Sequence, residues 1–126
     1  MAIRTLLVDD YASIRKSLRI LLKTVPGVEV VGEAEDGRIA MELMHKLLPD
    51  IIIMDIRMPV MDGIEATRWI TTVFPGVKVI AFTSCAEKST IREMFEAGAS
   101  GFLIKGCGSV EIISAINAVA EGKCCG

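Results

Sequence analysis

Three carboxylates are the residues of this chain whose positions most clearly suggest chemistry. Asp55 follows the apolar run Ile51–Met54 directly, and Asp9 with Asp10 follows the run Ile3–Val8. Four apolar residues without alternation, in a segment too short for a helix, indicate a parallel strand that is buried on both faces. Open α/β sheets bind their ligands at the carboxyl ends of such strands. Asp55 is therefore either a ligand-site carboxylate or simply the residue that ends the strand and caps the loop, and this segment alone favours neither interpretation.

Convergence of these carboxylates requires compensation of their charge. If the two strands are neighbours, the three side chains meet at one edge of the sheet. Two negative charges about 4 Å apart repel each other by roughly 4 kcal/mol at an effective dielectric constant of 20. Either one carboxyl group stays protonated or a cation binds. Hard oxygen donors without histidine or cysteine favour Mg²⁺ or Mn²⁺ over zinc. Mg²⁺ is preferred because it commonly keeps several waters and shares phosphate oxygens.

Hydroxyl groups and a cation follow two further predicted strands. Thr83 and Ser84 come after the apolar segment 77–82, and Lys105 comes after the segment 102–104. Taken singly, the hydroxyl pair could cap the next helix and the lysine could extend to solvent. Together with the carboxylates they supply a nucleophile, a metal site, hydroxyl groups and an ammonium group. Those are the parts of a phosphoryl-transfer site, where catalysis is mainly positioning and charge neutralisation.

The elements that must position these residues alternate between apolar runs and segments of helical periodicity. Proline–glycine turns at 26–27 and 75–76 separate predicted helices from strands, and Asp62 is placed to cap the third helix. Five strands and five helices predict an α/β fold, a doubly wound, five-stranded parallel sheet in a three-layer (βα)5 sandwich. We expect the strand order 2-1-3-4-5, which places the strands before the carboxylates side by side.

Two helices carry surfaces that need an interpretation. In the first, from about 13 to 24, the basic stripe of Arg15, Arg19 and Lys23 is interpreted as a solvated face. In the last, from about 109 to 121, the predicted core stripe consists of Ile112, Ile113, Ile116, Val119 and Ala120. The predicted outward face consists of Glu111, Ser114, Ala115, Asn117, Ala118 and Glu121. Because this face is small-sided and weakly charged, we expect either self-association or partner docking there, or a helix that simply faces solvent.

Composition argues against several classes of protein. Fourteen basic and sixteen acidic side chains give a net charge of −2, so no electrostatic footprint for nucleic acid is present. Hydrophobic residues make up 52% of the 126 residues, yet no apolar run approaches the roughly 18 residues of a membrane span. The N-terminal segment reaches acidic residues too early for a signal peptide, so we expect a cytoplasmic protein.

The cysteines show no paired spacing typical of a metal site. They are Cys85, Cys107, Cys124 and Cys125. Because His45 is the one histidine of the chain, reduced thiols are the expected state, with a redox role for Cys85 and Cys107 as the alternative. Residues 123–126 are interpreted as a tail or as an artificial end of the chain.

The motifs together resemble the receiver domain of two-component response regulators, the CheY-like family. The resemblance lies in Asp9-Asp10, in Asp-x-Arg-Met-Pro-x-Met-Asp-Gly at 55–63, in Thr83-Ser84 and in Gly-Ala-x-Gly-Phe-Leu-x-Lys at 98–105. It covers residues 1–122 and is most similar to receivers of the NarL and LuxR type, which precede a helix-turn-helix DNA-binding domain. It implies a flavodoxin-like fold, with the strand order given above, and a phosphorylation-activated signalling switch.

The resemblance also implies a role for each matching residue. Asp55 resembles the aspartate that accepts a phosphoryl group from a sensor histidine kinase or a phosphotransfer protein. Asp9 and Asp10 resemble the pair that holds Mg²⁺, together with Asp55 and the backbone carbonyl of Arg57. The residues that match phosphate-binding and switch positions are Thr83, Ser84, Lys105 and Phe102. The switch implies a changed surface on the fourth helix, fifth strand and fifth helix, and we expect a phosphorylation-dependent homodimer as one outcome.

The residue after Lys105 departs from the family pattern. Gly106 stands where many relatives have proline, so a cis peptide bond is much less expected there than in those relatives, and we expect a looser loop at Lys105. Arg57 and Cys85 match positions beside the phosphoryl group and are predicted to tune its lifetime.

Two rival functions are disfavoured by the sequence. An aspartyl phosphatase needs an acid where Arg57 stands, and a flavin-binding flavodoxin needs a phosphate loop that does not open with two acidic residues. We therefore expect no enzyme beyond self-phosphorylation and autodephosphorylation, no nucleic-acid contact by this domain itself, and either a stand-alone regulator or a fragment.

Overall fold

The computed structural model describes residues 2–84 and 87–122, in which five strands and five helices alternate. The strands are β1 Ile3–Val8, β2 Val28–Ala34, β3 Ile51–Met54, β4 Lys78–Thr83 and β5 Gly101–Ile104. The helices are α1 Ala12–Lys23, α2 Gly37–Leu47, α3 Gly63–Val73, α4 Lys88–Glu96 and α5 Ser109–Ala120. Within these residues, no helix is both long and apolar enough to cross a membrane. The predicted tail at 123–126, with Cys124 and Cys125, lies outside them, as does Cys85.

The strands form one parallel sheet in the order β2-β1-β3-β4-β5, which confirms the predicted doubly wound fold. Val8 of β1 lies opposite Met54 on one side and opposite Ala34 on the other. Just beyond the strand ends, the Asp55 N–H donates to the Val8 carbonyl at 2.8 Å and the Asp9 N–H donates to the Ala34 carbonyl at 3.0 Å. The strands β1 and β3 therefore end side by side, and the residues that follow them lie at the same edge of the sheet.

Alternation of side chains along the strands divides the core into two layers. Leu6 and Ile52 face the layer covered by α2, α3 and α4, whereas Leu7 and Ile53 face the layer covered by α1 and α5. Every residue of β3 is at most 1% exposed. Because a parallel strand in the centre of a sheet is covered on both faces, its sequence is apolar throughout. The strand that precedes Asp55 thus pairs with β1 and β4 along its edges and packs against a core layer on each face.

The rotation of α5 differs from the prediction at two alanines. Ala115 is fully buried and Ala120 is exposed, the reverse of their predicted positions. The buried positions start at Ile112 and recur three, four and seven residues later, which is the spacing of one helix face. The outward face is therefore rotated from its predicted position: Ala120 lies on it in place of Ala115, and Ser114 and Asn117 are exposed as predicted.

The prediction that the basic stripe of α1 is simply solvated is wrong for Arg15, whereas Arg19 and Lys23 are exposed as predicted. Arg15 and Arg19 both form ion pairs with Glu33 of β2. The Arg15 side chain is only 16% exposed. Arg15 thus lies against the neighbouring edge strand of the sheet, and Arg19 reaches the same glutamate from an exposed position.

Candidate functional site

The carboxylates that follow β1 and β3 form one cluster. One oxygen from each of Asp9, Asp10 and Asp55 lies within 4.8 Å of the other two. Asp9 and Asp55 are 2% and 4% exposed, and Asp10 is half-buried. The strand order and the matching ends of the strands bring these side chains together, although Asp55 comes 45 positions after Asp10 in the sequence.

Lys105 places its ammonium group against the same cluster. Its Nζ lies 2.8 Å from Asp9 Oδ2 and 3.2 Å from Asp55 Oδ2. It also lies 5.8 Å from the centroid of the Tyr11 ring, within the range of a cation–π contact. The Lys105 N–H donates to the Thr83 carbonyl at 2.8 Å, which extends the pairing of β4 and β5 up to the site. A cation in contact with two carboxylates offsets part of their repulsion.

The turn after Lys105 depends on glycine. Gly106 has a φ of +98°, a left-handed conformation that proline, whose φ is fixed near −65°, does not adopt. The Cys107 N–H donates to the Ile104 carbonyl at 3.1 Å and closes the turn. The departure from the family's proline therefore goes with a turn of different backbone geometry, while the looseness of this loop stays a prediction.

Burial and neighbouring charges shift the ionisation of the two central groups. Burial raises the pKa of Asp55 to about 6; the Asp9 carboxylate adds to the rise and the Lys105 ammonium opposes it. Burial by itself lowers the pKa of Lys105, but the contacts with Asp9 and Asp55 outweigh that effect and hold this pKa above its ordinary value of 10.5. Near neutral pH the site thus combines a mostly ionised Asp55 with a protonated Lys105.

The donor set of the cluster fits a hard divalent cation. Oδ1 of Asp10 is buried and has no hydrogen-bond partner, and Oδ2 of Asp9 has the ion pair with Lys105 but no well-directed hydrogen bond. Buried carboxylate oxygens without donors are costly unless a cation satisfies them. The cluster offers oxygen ligands only, as Mg²⁺ and Mn²⁺ prefer. These residues therefore can hold either ion.

The loop after β3 turns back against the acidic cluster at Gly63. A Cβ on Gly63 would lie 2.0 Å from the Asp55 carbonyl oxygen, so a larger residue cannot fit unless the backbone moves. The Gly63 N–H donates to the Ile56 carbonyl at 2.7 Å. Asp62 accepts a hydrogen bond from the Glu65 N–H at 2.9 Å, which confirms the predicted helix cap. The backbone on the far side of Asp55 is thus anchored to α3.

The other predicted site residues lie on the elements next to the charged centre. Thr83, the last residue of β4, is 2% exposed, and Ser84 after it is exposed. Phe102 of β5 is half-buried and packs against the core layer covered by α2, α3 and α4. Arg57 is exposed in the loop after β3, and Cys85 lies outside the described residues.

Arg15 is a neighbour of the cluster that the sequence pattern does not reveal. Its Nη1 donates to the Asp9 carbonyl at 2.5 Å, and its Nε donates to Glu33 Oε1 at 3.1 Å. Helical periodicity assigns Arg15 to an outward face. The signal that could have found it is a carboxylate, Glu33, in the otherwise apolar end of β2.

Comparison with known proteins finds relatives over nearly the whole chain. Residues 5–117 match the model of the response regulator receiver domain. The response regulator GacA of Pseudomonas viridiflava is 37% identical over 121 residues, which cover 96% of this chain and 56% of that protein. The transcriptional regulatory protein LiaR of Bacillus subtilis (strain 168) is 40% identical over 121 residues, which cover 96% of this chain and 57% of that protein.

A solved structure agrees with these sequence matches. The crystal structure of a LuxR-family two-component response regulator from Aurantimonas sp. SI85-9A1 superimposes with a TM-score of 0.95 at 36% identity. The match covers 100% of this chain and 90% of that chain. The chain spans a little over half the length of the curated relatives it matches.

Proposed function

Because the chain belongs to the family of response regulator receiver domains, which are signalling domains of two-component systems, we propose that Asp55 is its phosphoryl acceptor. The observation that carries this proposal is the position of Asp55 directly after the central strand, in contact with Lys105 and beside two further carboxylates. A carboxylate there can act as a nucleophile, since its neighbours supply the positive charge and the metal ligands that phosphoryl transfer needs.

In the proposed reaction, an oxygen of the ionised Asp55 carboxylate attacks phosphorus in line with the P–N bond of a phosphohistidine. The O–P bond forms as the P–N bond breaks, and the electron pair returns to the imidazole nitrogen of the donor. Lys105, 3.2 Å from Asp55, supplies positive charge where the phosphoryl oxygens arrive. Water then attacks the phosphorus of the acyl phosphate, which breaks the O–P bond, releases inorganic phosphate and restores the carboxylate. The proposed catalysis is thus limited to the chain's own phosphorylation and dephosphorylation.

The proposed cofactor is Mg²⁺, with Mn²⁺ as a substitute. The groups that would hold the ion are the carboxylates of Asp9, Asp10 and Asp55 and the backbone carbonyl of Arg57. When bound, the ion would offset the negative charge of the carboxylates and of the phosphoryl group. Support comes from the oxygen-only donor set and from the buried, unpartnered oxygen of Asp10.

Thr83, Ser84 and Phe102 are the proposed phosphate-binding and switch residues. The hydrogen bond from the Lys105 N–H to the Thr83 carbonyl couples the ends of β4 and β5. Phe102 lies in β5 and is half-buried, so its ring can pack further inward when Thr83 moves toward a phosphoryl group. Binding energy at Asp55 then biases the surface formed by α4, β5 and α5.

The proposed donors are a sensor histidine kinase or a phosphotransfer protein in the cytoplasm, and the proposed output partner is a second copy of the chain. The exposed side chains of Val110, Ser114 and Asn117 lie on α5, where two copies could meet.

Transcriptional control is proposed only through a DNA-binding domain of a longer protein. A net charge of −2 gives this domain itself no basis for DNA binding.

The experiment that tests Asp55 is intact-mass measurement after incubation with acetyl phosphate and Mg²⁺. We expect one phosphoryl addition in the parent, and none with EDTA or in Asp55→Asn. The matched control is Asp62→Asn, which keeps a good helix cap and should be phosphorylated like the parent. Undiminished addition to Asp55→Asn would contradict the proposal, whereas a parent that ignores acetyl phosphate would point to a switch that needs its kinase.

Self-association is tested separately by sedimentation equilibrium at several protein concentrations, with and without acetyl phosphate. We expect a monomer before phosphorylation and a concentration-dependent shift toward twice the mass afterwards. An unchanged mass in a sample shown to be phosphorylated would count against the homodimer and leave the role of Asp55 unaffected.

A further inference from the structure

A side chain of α1 forms a hydrogen bond with the backbone of the acidic pair Asp9 and Asp10. Arg15 Nη1 donates to the Asp9 carbonyl oxygen at 2.5 Å. The Asp9 N–H donates to the Ala34 carbonyl at 3.0 Å, and β2 ends at Ala34. The guanidinium thus satisfies the Asp9 carbonyl, the first carbonyl after the end of β1. The peptide groups on both sides of Asp9 are fixed, one by β2 and the other by Arg15.

Glu33 sets the direction of the Arg15 guanidinium group. Its Oε1 accepts from Arg15 Nε at 3.1 Å, and its side chain is 28% exposed. A planar guanidinium that is fixed along one edge holds its remaining N–H groups in defined directions. Arg19 pairs with the other oxygen of Glu33. Unlike Arg15, Arg19 forms no hydrogen bond with the backbone of β1 or Asp9 among the contacts of the described residues.

We propose that Arg15, oriented by Glu33, is a positioning residue for the metal-binding pair Asp9 and Asp10. The carbonyl that Arg15 holds shares a planar peptide group with the Asp10 N–H, so the contact fixes the plane from which the Cα of Asp10, and with it the side chain, extends. The Tyr11 N–H donates to Asp9 Oδ1 at 2.9 Å and fixes the carboxylate of the other ligand. This inference rests on the proposed metal site and adds a residue whose own side chain does not touch the ion.

The sign of the effect separates positioning from simple electrostatics. Arg15 and Arg19 each carry one positive charge on the same helix and share Glu33. Removal of a positive charge near an acidic cluster strengthens the binding of a cation. Loss of positioning acts in the opposite direction, since outer residues that orient metal ligands typically contribute about 10- to 100-fold to affinity. Weaker Mg²⁺ binding by an Arg15 variant therefore cannot come from the lost charge.

The test is the Mg²⁺ dissociation constant of the unphosphorylated chain, measured by isothermal titration calorimetry. The variants are Arg15→Met, Arg15→Lys and the matched control Arg19→Met. Methionine keeps an apolar stem and removes the donors, and thermal unfolding shows whether each variant folds. We expect Arg15→Met to weaken binding about 10-fold, Arg15→Lys to recover part of the loss, and Arg19→Met to bind at least as tightly as the parent.

Equal Mg²⁺ affinity in Arg15→Met and the parent, or an equal loss in Arg19→Met, would overturn the positioning role and leave the metal site intact. A parent that binds no Mg²⁺ would overturn the proposed metal site and this role with it. If Arg15→Met does not fold, Glu33→Met is compared with Glu35→Met, which removes the same charge from an exposed residue two positions further along. Glu33→Met also removes the oxygen that accepts from Arg15 Nε, so we expect it to bind Mg²⁺ several-fold more weakly than Glu35→Met, and equal affinities would overturn the proposal.

Discussion

The Lys105 ammonium group lies 2.8 Å from Oδ2 of Asp9, in a contact where the lysine side chain is 15% exposed and the aspartate side chain 3% exposed. The same ammonium lies 3.2 Å from Asp55. One residue after β5 thus joins the ends of β1 and β3. It supplies part of the positive charge that allows buried carboxylates to stay ionised close together.

Replacement of Lys105 by methionine should destabilise the fold when no divalent cation is present. The carboxylates lose their one described positive contact, and we expect the free energy of unfolding in EDTA to fall by about 2–3 kcal/mol. Because Mg²⁺ replaces the missing charge, added Mg²⁺ should stabilise Lys105→Met more than the parent. Denaturant unfolding with and without Mg²⁺ measures both effects. Lys16→Met, on the exposed side of α1, is the control, and a loss of equal size in both buffers would contradict the prediction.

Replacement of Asp55 by asparagine should stabilise the metal-free chain at neutral pH. The pKa of Asp55 is raised from 3.8 to about 6, so the native state holds its proton more tightly than the unfolded state does. Stability contributed by this group is therefore greatest below pH 4 and falls as the pH rises from about 4 to 6. The rise in pKa corresponds to at most about 3 kcal/mol.

Thermal unfolding of Asp55→Asn and the parent from pH 4 to 7.5 in EDTA tests this pH dependence. The stabilising effect of Asp55→Asn should grow across that range and level off above pH 7. Asp62→Asn, which changes an exposed helix cap, should show no comparable trend. A constant difference between Asp55→Asn and the parent at every pH would argue against the raised pKa.

A methyl group at Gly63 should damage both the fold and the site. The added Cβ would lie 2.0 Å from the Asp55 carbonyl oxygen and must push the acceptor backbone aside. We expect Gly63→Ala to lower the free energy of unfolding by about 2–4 kcal/mol and to slow phosphorylation by acetyl phosphate. Gly76→Ala is the control, because nothing lies within 4 Å of its added Cβ, and its effect should stay within about 1 kcal/mol. Equal stability of the two variants would contradict the predicted close approach.

Removal of the Arg57 side chain should shorten the lifetime of the phosphoryl group. Arg57 is exposed and stands two residues after Asp55, the proposed acceptor, where its side chain can obstruct in-line attack by water. We expect autodephosphorylation of Arg57→Ala to be several-fold faster than that of the parent, measured by loss of the added mass with time. Arg68→Ala, an exposed arginine of α3, should match the parent. Equal autodephosphorylation rates in Arg57→Ala and the parent would show that Arg57 does not protect the phosphoryl group from water.

Sequence reasoning succeeded where the pattern is local and strong. The bounds of β1 and β3 agree with the prediction because their apolar runs end directly at aspartates, and the cap at Asp62 follows from a local turn. It failed for the rotation of α5, because alanine suits a buried and an exposed position equally well and Ala115 and Ala120 therefore carry little information. The domain extent of 1–122 stays a prediction, although the family match at 5–117 lies inside it.

The contact between Arg15 and Glu33 was missed for a different reason. The two residues are 18 positions apart and meet because β2 pairs with β1 and α1 packs beside it. No periodicity within α1 contains that information, since a charged residue on an outward stripe is usually solvated. Long-range contacts of this kind depend on the tertiary fold, and their identification required the structure.

The most direct test of Asp55 as phosphoryl acceptor is chemical trapping of the modified residue. The chain is incubated with acetyl phosphate and Mg²⁺ and then treated with borohydride, which reduces an acyl phosphate to an alcohol and so converts the modified aspartate to homoserine. Peptide mass spectrometry then locates the homoserine. The account predicts homoserine at position 55 alone, and none when EDTA is present. Homoserine at position 9, 10 or 62 instead would contradict it.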